Sequence, residues 1–209
     1  MKWLIACEHS GAVRDALTSL GIDATSCDIL PSETEGKHIQ GDVLDILDQG
    51  WTHMLAHPPC THLAISGSRH FAKKRADGRQ QAALDFVEKL WSAPIPHIAI
   101  ENPVSIISTQ TSLGKCTQSI QPYQFGHPES KRTCFWLKNL PKLQPTDVLE
   151  LPERGYWDNQ TPSRQNNASG TKDKPRWAVR SKTYEGIARA IASQWGLKQL
   201  EPVLEEANG

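Results

Sequence analysis

What this chain of 209 residues lacks already excludes several classes. No apolar run approaches the roughly 18 residues that a bilayer requires, so no membrane span is expected. The five cysteines, Cys7, Cys27, Cys60, Cys116 and Cys134, are odd in number and contain no CxxC pair. That speaks against a disulfide framework and for a reducing compartment, with cytoplasm as the default. The formal net charge is zero, so no global field drives the chain onto nucleic acid. Met1 to Cys7 is too short for a signal peptide and reads as a first strand. No internal repeat is present, and the length suits one well-buried α/β domain over residues 1–209.

The patterning that is present alternates strand and helix. Lys2 to Ala6 is an apolar strand, and Gly11 to Leu20 comes next at helical spacing, stopped by Gly21. Asp23 to Cys27 forms a second strand ending at Asp28, and Trp51 to Ala56 a buried one. From Arg79 to Trp91 the apolar positions keep a period near 3.6, and Pro94 ends that helix. It is the crossover needed to bring His97 to Ile100 parallel to the Trp51 strand. Alternation of this kind implies a doubly wound, Rossmann-like sheet. Thr183 to Trp195 is the last helix, with Ile187, Ala188, Ile191, Ala192 and Trp195 on one face and Gly196 as its stop. Ala64 to Gly78 and Val104 to Gln118 read as loops, the former a mobile active-site loop. The residues after His127 alternate into a strand ending near Leu137.

Five positions carry candidate chemistry. In His57-Pro58-Pro59-Cys60-Thr61, two prolines forbid helix and ladder, holding Cys60 beyond the end of the Trp51 strand. Glu101-Asn102-Pro103 ends the next strand in the same way, so the two ends are expected to face one pocket at the carboxyl edge, where α/β sheets bind ligands. Cys7-Glu8-His9-Ser10-Gly11 joins the first strand to a helix N-terminus, whose unpaired amides make a seat for an anionic group. Asp28 lies at a strand end, suited to ribose hydroxyls. Asp42 precedes Val43, Leu44, Ile46 and Leu47 and is also placed to cap that short helical run.

Pro58-Pro59-Cys60 and Glu101-Asn102-Pro103, in that order, resemble motifs of the cytosine-C5 DNA methyltransferase family, and the likeness extends over most of the chain. The resemblance implies an S-adenosylmethionine-dependent fold, with Cys60 as nucleophile, Glu101 as the acid on cytosine N3, and Arg132, from Lys131-Arg132, on the base carbonyl and phosphate. It implies a cofactor site of Cys7, Glu8, Ser10, Gly11, Asp28, Asp42 and Pro58, with Asp42 accepting from the adenine amino group. The chain departs from the family in a first turn poorer in glycine and in a last motif that reads Arg180-Ser181-Lys182-Thr183. A loop-rich segment, 143–182, stands where members carry a target-recognition domain, so little sequence specificity is expected. The small size resembles phage-encoded members, implying a bacterial host cytoplasm. DNA, duplex or single-stranded, is the implied partner.

Rival readings remain. His53, His57, Cys60 and His62 are all zinc-ligand types, although their spacing matches no CxxC or helical HxxxH pattern. A zinc cytosine deaminase needs P-C-x-x-C, where this chain has Pro59-Cys60-Thr61-His62-Leu63. A degenerate methyltransferase fold that binds nucleic acid or cofactor without turnover is the non-enzymatic alternative. Within the enzyme reading, a free cytidine nucleotide is another substrate.

Overall fold

The computed structural model describes residues 1–157 and 182–197. Its chain order runs β1 (Lys2–Ala6), α1 (Ala12–Ser19), β2 (Asp23–Asp28), β3 (His38–Gln40), β4 (His53–Ala56), α2 (Phe71–Ala76), α3 (Arg79–Trp91), β5 (His97–Pro103), α4 (Ile107–Gln110), β6 (Gln118–Ile120), β7 (Thr133–Lys138) and α5 (Glu185–Ile191). The seven strands form one mixed sheet in the order β3-β2-β1-β4-β5-β7-β6. Strands β1 to β5 pair in parallel, while β7 lies antiparallel to both neighbours. This is the doubly wound, Rossmann-like α/β fold expected from the alternation of elements.

Helices cover both faces, so the central strands are apolar in both directions. Leu4, Ala6, Met54, Ala56, Ile98, Ile100 and Trp136 pack towards the α3 side with Leu84, Val87 and Leu90. Trp3, Ile5, Leu55, Ala99 and Phe135 pack against Val13, Leu17, Ile187, Ile191 and Trp195 on the other side. Gly186 is required where α5 crosses this face, because a Cβ there would lie 1.9 Å from the Phe125 carbonyl oxygen. The strand order reverses between β1 and β4, which opens a crevice beyond their carboxyl ends.

Several local expectations need correction. Ala64 to Gly78 is not an open loop: Ile65–His70 forms a 3-10 segment that runs into α2. Buried Leu63 and Phe71 anchor its two ends, a signal hidden by the polar residues between them. Val104 to Gln118 includes the short α4. Both β3 and β6 have three residues and little apolar content, so their pairing partners rather than their own pattern define them. Gly196 does not stop the last helix, which continues from Ala192 to Leu197 with π geometry. A Cβ on Gly196 would sit 2.3 Å from Ile22, so the glycine serves packing there. Of the 143–182 segment, residues 143–157 and 182 are described; 143–157 contain turns and one bridge, Phe125 to Asp147. Arg180, Ser181, Lys172, Lys174 and Arg176 lie outside the described residues.

Candidate active site

The crevice is lined by the turns at the carboxyl ends of the central strands. After β1, Cys7 adopts a left-handed conformation (φ 58°), costly for a residue with a Cβ, and turns the chain sharply towards α1. Gly11 sits at φ 73°, and a Cβ on it would fall 2.2 Å from Thr34 Oγ1. That tightness traces to Arg14, which is fully buried and ties α1 to the segment after β2. Its guanidinium donates to Ser26 Oγ (3.1 Å), Ser32 Oγ (3.0 Å), the Thr34 hydroxyl (2.5 Å) and the Glu35 carbonyl (3.0 Å).

The amides at the start of α1 are not open, which corrects the expected anion seat. Val13 N and Arg14 N donate to the two carboxylate oxygens of Glu8 at 2.8 and 3.3 Å, and Ala12 N donates to Ser10 Oγ at 3.3 Å. The chain's own carboxylate takes the place offered to a ligand's, because Glu8 reaches forward to the helix that comes after it. Glu8 is buried, and burial raises its carboxyl above the ordinary value against the pull of His57, the two amides and Arg14.

Asp28 and Asp42 converge on this end of the sheet. Burial first, then the charges of Asp28, Cys27 and Asp42, push the Cys7 thiol far up. Each spends a single oxygen on its own backbone: Asp28 Oδ1 accepts from Leu30 N (2.9 Å), and Asp42 Oδ1 from Leu44 N (3.0 Å). The capping role foreseen for Asp42 is present, and the Oδ2 atoms of both are left for other partners.

The second half of the crevice is built after β4 and β5. Pro59 precedes a 3-10 turn, Cys60–His62, whose Cys60 carbonyl accepts from Leu63 N (3.0 Å) and Ala64 N (2.9 Å). The turn is held from behind, since Lys74 Nζ donates to the Thr61 carbonyl and Gln80 Nε2 to the His62 carbonyl (3.2 Å). Cys60 itself is exposed. The other thiols are poor nucleophiles near neutrality where burial governs them, pushing Cys27 up to about 11 and Cys134 up to about 12.

The loops after β4 and β5 are stitched together. Asn102 Nδ2 donates to the Pro58 carbonyl (2.8 Å) in a buried contact, Ile65 N to the Val104 carbonyl (3.0 Å), and Ile106 N to the Leu63 carbonyl (3.1 Å). Glu101 at the end of β5 meets His57 at the end of β4, with Oε2 3.1 Å from Nδ1. Of these contacts, sequence reasoning foresaw only that the two strand ends would meet; the roles of Asn102, Arg14 and His57 were missed. No spacing signal marks a pair 44 residues apart, although the order His57-Pro-Pro-Cys places a titratable ring beside the thiol.

Lys131 and Arg132 reach the same edge because β7 is antiparallel and its first residue pairs with Pro103. They diverge there. Arg132 is exposed and its charge acts on Cys134, whereas the charge that reaches His57 is that of Lys131, whose Nζ lies 5.4 Å from the Tyr184 ring centre. The four zinc-ligand candidates are not gathered. His53 stacks between Trp3 and His97 at the far end of β4, His57 is engaged by Glu101, and among the described residues no group of three or more metal-ligand side chains forms. No helix among the described residues is long and apolar enough to cross a membrane.

No family model matches this sequence, and no curated protein matches it. Solved structures do. One is assigned as a DNA modification methyltransferase encoded within an Escherichia coli prophage, 14% identical over 72% of this chain and 52% of the other, TM-score 0.47. Another is the Entamoeba histolytica methyltransferase EhMeth, 18% identical over 71% of this chain and 57% of the other, TM-score 0.46. A mutant of Spodoptera frugiperda DNMT2 is 14% identical over 75% and 57%, TM-score 0.35. The matches thus span little more than half the length of each of these proteins.

Proposed function

We propose that this protein transfers a methyl group from S-adenosylmethionine to C5 of cytosine in DNA, with Cys60 as the nucleophile. The observation that carries this reading is the pairing of an exposed thiol and a carboxyl group on adjacent parallel strand ends, their loops bound together through Asn102 and Pro58. Cytosine C5 is a weak nucleophile until a thiolate adds to C6 and N3 is engaged by an acid. Cys60 Sγ forms the bond to C6 while Glu101 donates a proton to N3, leaving the electron pair at C5. Once C5 is methylated, water acting as base takes the C5 proton, the C–H pair forms the C5–C6 double bond as Sγ leaves as thiolate, and N3 returns its proton to Glu101.

The cofactor fits this crevice in part. Asp28 and Asp42 each have an oxygen left for the adenosine hydroxyls and amine, beside the Cys7 turn. The amino-acid end would approach a helix start whose amides Glu8 already holds, rather than open amides. When bound, the cofactor supplies an electrophilic methyl carbon. The same occupied cap supports a second reading, a degenerate methyltransferase fold that binds nucleic acid or cofactor without turnover.

DNA would lie along the segment after Cys60, where Arg69, His70, Lys73, Arg75 and Arg79 are exposed, next to the thiol. With the 143–182 segment in place of a recognition domain within a single catalytic unit, contacts fall mainly on phosphate and on a base drawn out of the stack. Mass spectrometry of nucleosides from DNA incubated with the protein and S-adenosylmethionine tests the reading. 5-Methylcytosine is expected in duplex or single-stranded DNA. Its absence, with cofactor binding retained by calorimetry, would select the binding-module reading, and modification of free cytidine nucleotides alone would move the substrate away from DNA.

A further inference from the structure

His57 is the buried titratable group at the centre of the crevice that the reaction above does not use. Its backbone N donates to the Ala6 carbonyl (2.9 Å), continuing the β4 to β1 ladder, so the side chain leaves from a fixed point. Its ring is only 11% exposed and its Nδ1 lies 3.1 Å from Glu101 Oε2, so a proton on Nδ1 is shared with that carboxylate. Nε2 is buried and has no hydrogen-bond partner among the described residues. Three charged groups face the ring: Glu101 from β5, Glu8 from the turn after β1, and Lys131 from the start of β7.

Burial and Lys131 oppose a positive charge on this ring. The hydrogen bond and charge of Glu101, reinforced by Glu8, outweigh them and hold the imidazole above its ordinary value. The raised value favours the protonated ring, which lies between two carboxyl groups, and only one of these, Glu101, is hydrogen-bonded to it. A carboxylate held this way keeps Oε1 for a ligand and has a proton donor on Oε2.

We propose that His57 is a positioning residue for Glu101, fixing the carboxyl towards the reacting ring and storing the proton that Glu101 passes to the ring nitrogen. The inference rests on the methyl-transfer reading. The transfer balances: His57 Nδ1 gives its proton to Glu101 Oε2, the neutral carboxyl turns that O–H onto N3 and donates it, and when N3 returns the proton through Glu101 on release of Cys60 the ring is protonated again. No external acid is consumed over the cycle.

The experiment uses the full chain with duplex DNA and S-adenosylmethionine, following kcat and KM for methyl transfer between about pH 5.5 and 8.5, the range where imidazole titrates. His57→Asn keeps an N–H near the Nδ1 position and cannot store a proton. Wild-type kcat is expected to fall as pH rises through the raised histidine value, above about 6.5. His57→Asn is expected to lower kcat about 10²-fold, the usual scale of acid–base assistance, with KM for DNA within about twofold and the alkaline fall removed. Nitrogen NMR of the ring gives a readout independent of turnover: the His57 titration should move down in Glu101→Gln. If the wild type methylates DNA and His57→Asn matches its kcat and pH profile, or if the ring titration ignores Glu101→Gln, the proposal is overturned. A wild type that transfers no methyl group overturns the underlying reading instead, whatever the ring titration shows.

Discussion

The two halves of the crevice are built by opposite means. On the β1 and β2 side, the carboxyl and hydroxyl groups at the strand ends bond their own turns within a few residues, Glu8 to Val13 and Arg14, Ser10 to Ala12, Asp28 to Leu30 and Asp42 to Leu44, while Arg14 alone reaches across to Ser26, Ser32 and Thr34. On the β4 and β5 side the corresponding contacts cross 44 residues, Asn102 to Pro58 and Glu101 to His57. The first half is rigid through local caps and can lose one contact without moving its neighbours. The second half is held by cross-strand contacts, so it is where a single substitution should alter chemistry most.

The largest effect expected is at Cys60. Cys60→Ser should abolish covalent trapping on DNA carrying 5-fluorocytosine, which stalls after transfer because fluorine cannot leave as a cation, and lower kcat by at least about 10³-fold. Glu101→Gln should still form the adduct, about 10²-fold more slowly. Because Cys60 is exposed, the thermal midpoint of the serine variant should match that of the wild type. An adduct in that variant, or one mapping to Cys7, Cys27, Cys116 or Cys134, would remove the assignment.

Next comes the cross-strand bond. Asn102→Ala leaves the Pro58 carbonyl buried without its donor, which should cost about 1–3 kcal/mol of stability in denaturant titration and lower kcat with it. A variant as stable as the wild type would show that the two loops are held by their backbone contacts alone.

The smallest effect belongs to the locally capped half. Asp42→Ala removes a cap worth about 1 kcal/mol and the second carboxylate oxygen, so calorimetry should show S-adenosylmethionine bound about tenfold more weakly. Equal loss of affinity in Asn102→Ala would erase the contrast between the two sides.

The same contrast marks what could be read in advance. β1, β4, α1, α3 and the apolar face of α5 were legible because burial on a helix or strand imposes a period on neighbouring residues. Arg79–Trp91 came out with its bounds unchanged, since its apolar spacing and Pro94 both act locally. The Asp42 cap was legible for the same reason. The 65–76 segment was not, because its two anchors, Leu63 and Phe71, are set apart by polar residues that resemble a solvated loop.

By itself, the sequence determined the alternation of strand and helix, the placing of Cys60 beyond a strand by two prolines, and the meeting of that strand end with Glu101. These stem from backbone sterics and from apolar periodicity, which need no partner. Only the tertiary structure decided that Glu8 fills the helix amides and that His57 itself bonds Glu101. Glu8 is placed by the turn that Cys7 makes, and His57 meets Glu101 because the parallel register of β4 and β5 brings their ends within hydrogen-bond reach. That register is a property of the sheet rather than of any one strand.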